Sequence, residues 1–94
     1  MEFEWDPAKA AANLHKHHVL FESAVAVFLD PNRVDLYDGR EAYGEDRWIT
    51  IGEAVPALLS VVYTLRGTGN ERIRLISARK ADSHERKRYR QIHN

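Results

Sequence analysis

The sequence of 94 residues contains no cysteine, one methionine, three prolines and five glycines. Lack of cysteine excludes a disulfide framework and any thiolate metal site. Long apolar runs are also missing: the longest, Ala24 to Leu29, falls far short of the roughly 18 residues of a membrane span. Asp6, Lys9 and the stretch His15 to His18 break up the region where a signal peptide would need an unbroken apolar segment. These absences lead to the expectation of a soluble, intracellular, cytoplasmic protein without membrane association. Glycine and proline are scattered singly and no repeat is visible, so no linker divides the chain and one domain over residues 1–94 is expected. Hydrophobic residues make up 44% of the chain, too many for a disordered polymer. A chain this short buries only about 60–65% of the surface its unfolded form exposes, which implies one modest core.

Net charge is zero, with 14 basic and 14 acidic side chains, but the charges are segregated. Residues 1–65 carry 11 acidic and 5 basic groups, and residues 66–94 carry 3 acidic and 9 basic, so the two parts are −6 and +6. A molecule that is cationic on one side attracts a polyanion even when neutral overall; internal pairing of the two parts is the plainer alternative.

Phe3-Glu4-Trp5 alternates as a short strand. Asp6-Pro7 then starts a helix, with Asp6 as N-cap and Pro7 at the first helical position. A stripe of small residues, Ala8, Ala11 and Ala12 with Leu14 or His15, carries that helix to about His17. Phe21, Ala24, Val25 and Phe28 predict a second helix that stops at Asp30, because the residue before Pro31 is driven out of the α region. The period then changes to two: strands are expected over Arg33–Tyr37, Arg47–Ile51, Ala57–Arg66 and Glu71–Arg79. Gly67-Thr68-Gly69-Asn70 closes a hairpin, a connection containing Gly52 and Pro56 joins the second and third of these strands, and Asp38 to Asp46 forms a longer, mobile loop. Asp82-Ser83-His84-Glu85 reads as a capping box for a basic helix to about His93, with Tyr89 and Ile92 as its narrow apolar stripe.

The elements combine into an α+β domain: two N-terminal helices, a twisted antiparallel four-stranded meander with the short N-terminal strand added, and a basic C-terminal helix. The helices are expected mainly on one face, leaving the other partly open. Strict alternation along the last strand places Ile73, Leu75, Ser77 and Arg79 on one side and Arg72, Arg74, Ile76 and Ala78 on the other, unless a bulge resets the register. Arg66 ends the neighbouring strand and Arg79-Lys80 adjoins the basic helix. These groups, with Tyr63, Tyr89 or Trp48 nearby, would form a cationic strip suited to single-stranded nucleic acid: guanidinium forks hold phosphate and aromatic rings stack on bases. The bland alternative is that the arginines solubilise a strand and Tyr63 is core.

The runs Phe3-Glu4-Trp5-Asp6-Pro7-Ala8-Lys9, Asn13-Leu14-His15-Lys16-His17, Phe21-Glu22-Ser23-Ala24, Asp46-Arg47-Trp48-Ile49-Thr50-Ile51-Gly52 and Arg72-Ile73-Arg74-Leu75-Ile76-Ser77-Ala78-Arg79-Lys80-Ala81, followed by Glu85-Arg86-Lys87-Arg88-Tyr89, resemble the BrnT toxin family in order and spacing over essentially the whole chain. The resemblance implies a RelE-like ribonuclease fold and an RNA-cleaving toxin of a bacterial type II toxin-antitoxin pair. It further implies a BrnA-type antitoxin with a ribbon-helix-helix domain, DNA contacted only through that antitoxin, and a 2:2 hetero-oligomer. The chain departs from the family pattern after His17, where His18 stands at a common glycine and must take a positive φ or end the helix differently, and Leu20 lacks a capping hydroxyl.

On that resemblance, metal-independent endonucleolytic cleavage needs a base for the 2′-OH, an acid for the leaving 5′-oxygen and cations for the phosphate. His17, Arg66, Arg79 and Lys80 are the candidate catalytic residues: arginines (Arg66, Arg74 and Arg79) clamp phosphate, and Lys80 or His17 moves protons. Lys16, Arg72, Arg74, Arg86, Tyr89 and Arg90 are the candidate RNA-binding residues. His17 suits proton transfer by its intrinsic pKa, with a helix-dipole contact as the alternative. Glu85 is assigned to its cap rather than to catalysis. His15, His17 and His18 do not share a helix face, so neither metal nor cofactor is expected. The rival reading is a non-catalytic RNA-binding or antitoxin-binding module. The loop Asp38 to Asp46 and the cationic groove are the surfaces an antitoxin is expected to cover.

Overall fold

A computed structural model describes residues 1–39 and 44–92. The first helix, α1 (Pro7–His17), starts as its sequence demands: the Asp6 carboxylate accepts the Ala8 amide at 2.9 Å and proline fills the first turn. It ends at His18, whose backbone is left-handed (φ 59°) while its amide donates to the Leu14 carbonyl at 2.9 Å. The buried face differs from the expected alanine stripe. Ala8, Ala11, Ala12, Leu14 and His15 are exposed, whereas Ala10, Asn13 and His17 turn inward. The reason is polar: Asn13 Nδ2 donates to the carbonyls of Val19 (3.0 Å) and Ala78 (2.8 Å), and its Oδ1 accepts the Ala78 amide at 3.0 Å. The amide side chain thus completes a strand edge that no other strand covers.

The second helix is shorter than its pattern predicts. It comprises α2 (Phe21–Ala24) followed by a 3-10 segment, Val25–Leu29. The tighter winding brings Val27 and Phe28 into the core beside Phe21 and Ala24.

Five strands, β1 (Glu2–Glu4), β2 (Val34–Asp38), β3 (Arg47–Ala54), β4 (Ala57–Arg66) and β5 (Arg72–Lys80), form one sheet in the order β1-β5-β4-β3-β2. The four-stranded meander is antiparallel, and β1 joins it in parallel along β5. Gly52 lies within β3 rather than in the connection, which shrinks to Val55-Pro56. A Cβ at Gly52 would stand 2.8 Å from Val27 Cγ1, so only glycine lets the 3-10 segment approach this strand.

The core fills one side of the sheet: Leu59, Val61 and Tyr63 of β4 and Ile73, Leu75 and Ala78 of β5 meet Val19, Phe21, Ala24, Val27 and Phe28. Each fully buried Leu, Val or Phe contributes roughly 1.5–3 kcal/mol. The helix α3 (Ser83–Ile92) lies on the opposite face, beside Leu36 and Ile51. The helices therefore divide between the two faces instead of gathering on one. The connection after β5 is two residues long, and the capping box forms as read, with reciprocal 2.9 Å bonds between Asp82 and Glu85. Ile92's side chain, the helix end at His93 and loop residues 40–43 lie outside the described part. No helix among the described residues is long and apolar enough to cross a membrane.

Candidate functional site

A bulge in β5 decides where its arginines point. The register shifts between Val62 and Tyr63, so Val61 pairs Ala78 and Ser60 pairs Arg79, whereas Tyr63 pairs Leu75 and Thr64 pairs Arg74. Strict alternation therefore fails after Leu75: Ala78 joins Ile73 and Leu75 in the core, and Arg79 moves to the face of Arg72 and Arg74. All three strand arginines, with Arg66 opposite Arg72, face the side on which α3 lies.

They do not converge as a free trough. Arg72 and Arg74 share Glu4, each at 2.6 Å, and Arg66 binds Glu45 at 2.9 Å. Hydrogen bonds from Arg72, then Arg74, hold the Glu4 carboxyl below its ordinary value. At the other end of the strand, both terminal nitrogens of Arg79 bind Glu85, at 2.7 and 3.0 Å. Glu85 also accepts from the buried Ser60 hydroxyl at 3.0 Å. Burial alone would raise the Glu85 carboxyl; its bonds from Arg79, the Asp82 amide and Ser60 outweigh that and lower it. The expected aromatic neighbours are also redistributed. Tyr63 belongs to the core, edge-on to Phe28, and burial with Asp35 beside it pushes its phenol up to about 12. Trp48 opposes Tyr63 on that face and packs against Tyr37.

Open cationic surface lies elsewhere, in a cleft of about 710 Å³ between α3 and the β3–β4 hairpin. Its polar lining is Lys80, Arg86, Tyr89, Arg90 and Glu53, over apolar surface from Val55, Pro56 and Leu58. The spacing of Arg86 and Arg90, four apart on α3, places both on one flank of the helix. Arg86 donates to the Ala81 carbonyl at 2.7 Å. Lys80 and Arg90 form no ion pair among the described residues.

Tyr89 is fixed in this cleft from behind. Its hydroxyl donates to Asp30 Oδ2 at 2.7 Å, and the Glu53 amide donates to the same oxygen at 2.9 Å. Burial first, then the Asp30 bond and the charges of Asp30 and Glu53, raise the Tyr89 pKa and keep the phenol protonated. Asp30 reaches this position because β2 starts at Val34, leaving the β3 edge open beyond Ile51.

His17 stands at the end of α1, half-buried. Burial, followed by the positive charges of Lys16 and Arg79, lowers its pKa, so its imidazole is neutral at physiological pH. The structure thus gathers Lys80, Arg86, Tyr89 and Arg90 in one cleft, keeps His17 within electrostatic reach of Arg79, and leaves Arg66, Arg72 and Arg74 with carboxylate partners at the far end of β4 and β5. Lys16 has no described ion-pair partner. Among the described residues, no three His, Asp or Glu side chains cluster in a way that could hold a metal ion.

Sequence reasoning missed Asp30, Glu53, Ser60 and Asn13. Asp30 registers in the sequence only as a helix stop before proline. The one usable signal for the Asp30–Glu53 junction is Gly52, since a glycine inside a strand marks close approach of another segment.

The family model described as "Ribonuclease toxin, BrnT, of type II toxin-antitoxin system" matches residues 5–85. Among solved structures, the crystal structure of the ribonuclease toxin BrnT from Brucella abortus is similar, with a TM-score of 0.66 and 27% identity over 88% of this chain and 99% of that one. No curated protein matches.

Proposed function

The chain belongs to the BrnT family of ribonuclease toxins of type II toxin-antitoxin systems, and from that premise we propose that it cleaves RNA endonucleolytically without a metal ion, at the cleft beneath α3. The observation that carries this reading is the set of cations around that cleft, Lys80, Arg86 and Arg90, beside the half-buried ring of Tyr89. Arg90 holds the phosphate whose charge grows as the 2′-oxygen attacks, Lys80 passes a proton to the 5′-oxygen as its bond to phosphorus breaks, and Tyr89 orients a base. A neutral imidazole near Arg79 makes His17 the group best suited to accept the 2′-OH proton. Arg79 acts beside it with its position set by Glu85. Arg66, Arg72 and Arg74 contribute to binding where RNA phosphates displace their carboxylate partners, and Lys16 extends the path past His17.

Cleavage of messenger RNA in this way would inhibit translation and growth. A type II toxin has an antitoxin partner; a BrnA-type antitoxin with a ribbon-helix-helix domain, assembling 2:2 and linking the pair to DNA, fits this chain, and it inhibits by covering the cleft.

Incubating purified protein with single-stranded RNA in EDTA tests the reading. Cleavage that persists under chelation and is lost in Lys80→Ala and His17→Ala is expected. Cleavage abolished by EDTA overturns the metal-free mechanism. Intact RNA bound tightly and salt-sensitively supports the rival binding module instead.

A further inference from the structure

We propose that Ser60 is a positioning residue: through Glu85 it fixes the Arg79 guanidinium so that one edge, Nε–H with an Nη2–H, is presented to a phosphate of the RNA. The inference rests on the reading of the protein as a ribonuclease and adds to it the group that aims Arg79.

A guanidinium has five N–H donors in a rigid plane, with one fork between Nη1 and Nη2 and another between Nε and Nη2. At Arg79 the first fork is filled: Nη1 donates to Glu85 Oε1 at 2.7 Å and Nη2 to Oε2 at 3.0 Å. Nη1 also donates to the Lys80 carbonyl at 3.2 Å. Nε–H and the second Nη2–H are left on one edge, and neither donates to any described residue. Arg79 keeps 38% of its side-chain surface exposed against 16% for Glu85, so solvent reaches the guanidinium far more than the carboxylate. Two oxygens of a phosphate match such an edge bidentately.

Glu85 holds Arg79 firmly because its own oxygens are saturated. Oε1 accepts from Arg79 Nη1 and the Asp82 amide, and Oε2 accepts from Arg79 Nη2 and the Ser60 hydroxyl. A carboxylate offers about four acceptor sites, so all are in use. The Asp82 amide belongs to the start of α3 and moves with that helix, whereas Ser60 belongs to the sheet. Ser60 is buried and stands directly opposite Arg79 in the β4–β5 ladder. Its hydroxyl therefore ties the carboxylate to the same sheet that carries Arg79. The other strand arginines lack this support: Arg66 and Arg74 are each held through one nitrogen, and Arg72 spends its Nε on Glu4. His17 lies within the field of the Arg79 charge, which joins the proton acceptor and the aimed guanidinium in one site. A fork set in advance needs no reorganisation as charge builds on the phosphate oxygens.

Two measurements test the proposal. In proton–nitrogen correlation spectra, inorganic phosphate is expected to shift the Arg79 Nε–H resonance of the parent protein, and Ser60→Ala should need about tenfold more phosphate for the same shift. With single-stranded RNA in EDTA, Ser60→Ala is expected to lower kcat about tenfold and to leave KM within about twofold of the parent, since Lys80, Arg86 and Arg90 still bind the chain while the guanidinium loses its aim. An Arg79 resonance that phosphate leaves unmoved overturns the subsite. A parent-like phosphate response and kcat in Ser60→Ala overturn the role of Ser60, as does a loss of activity that only tracks the unfolded fraction in a melting curve. A shifted resonance with RNA left intact removes the ribonuclease reading and keeps the aimed fork as a phosphate site. Cleavage with the resonance unmoved does the reverse.

Discussion

Single residues in this protein work mostly through backbone groups that the sheet leaves open. Asn13 makes three hydrogen bonds to main-chain atoms in a buried setting. Asn13→Ala should therefore destabilise the fold by about 2–3 kcal/mol, since buried donors and acceptors lose their partner, and chemical denaturation at equilibrium measures it. At His18 the left-handed backbone with φ 59° strains a side chain that glycine lacks. His18→Gly is expected to stabilise by about 0.5–1 kcal/mol, seen as a rise in Tm of several degrees. His17 yields a prediction with a sign. Its folded pKa lies below the ordinary value of 6.5, so the fold favours the neutral imidazole. The fold is then disfavoured as pH falls through 6.5, where the unfolded chain takes up the proton first. If His17 accepts the 2′-OH proton, the acidic limb of the kcat/KM profile for RNA lies below pH 6.5 and disappears in His17→Ala.

At the scale of elements, α3 is held by polar contacts more than by apolar burial. Glu85 bonds to Arg79 and Ser60, Arg86 to the Ala81 carbonyl and Tyr89 to Asp30. Replacing Glu85 by alanine opens the capping box and leaves the buried Ser60 hydroxyl and the Arg79 guanidinium without this partner. A loss of about 1–3 kcal/mol is expected, with faster amide exchange confined to α3. A lowered Glu85 pKa makes this contribution present above its ordinary value of 4.5 and lost as pH falls through the lower folded value. Much of this element was legible beforehand, because Asp82 and Glu85 stand at capping-box spacing. Its docking face was not: the bulge between Val62 and Tyr63, which brings Arg79 to the α3 side, has no glycine or proline to mark it in β5.

For the whole molecule, the division of charge into an acidic front and a basic back is partly consumed internally. Glu4 and Glu45 reach across to Arg72, Arg74 and Arg66. Exposed pairs of this kind add little stability, but they remove these arginines from the reservoir of free cations. The open positive charge is left around α3 and Lys80. RNA affinity should accordingly fall with salt, and Lys80→Ala or Arg90→Ala should each reduce the slope of log K against log salt by about one. Arg72→Ala should reduce that slope by clearly less than one, because a phosphate reaches this guanidinium only by displacing Glu4. Fluorescence anisotropy with a labelled RNA across a salt series separates the two cases.

The sequence by itself determined what depends on near neighbours: the start of α1 at Asp6-Pro7, its end near His17, the hairpin at Gly67 to Asn70, the capping box, the change of period from helix to strand, and the ordered blocks that resemble one toxin family. Tertiary structure alone decided which side chains meet across the chain. Asp30 with Tyr89 and Glu53, Asn13 with Ala78, and Glu4 with Arg72 and Arg74 are separated by 23 to 70 positions. The physical reason is that short-range spacing sets local dihedrals and faces, while the pairing of distant polar groups follows from sheet order, a one-residue bulge and the point where β2 stops covering β3.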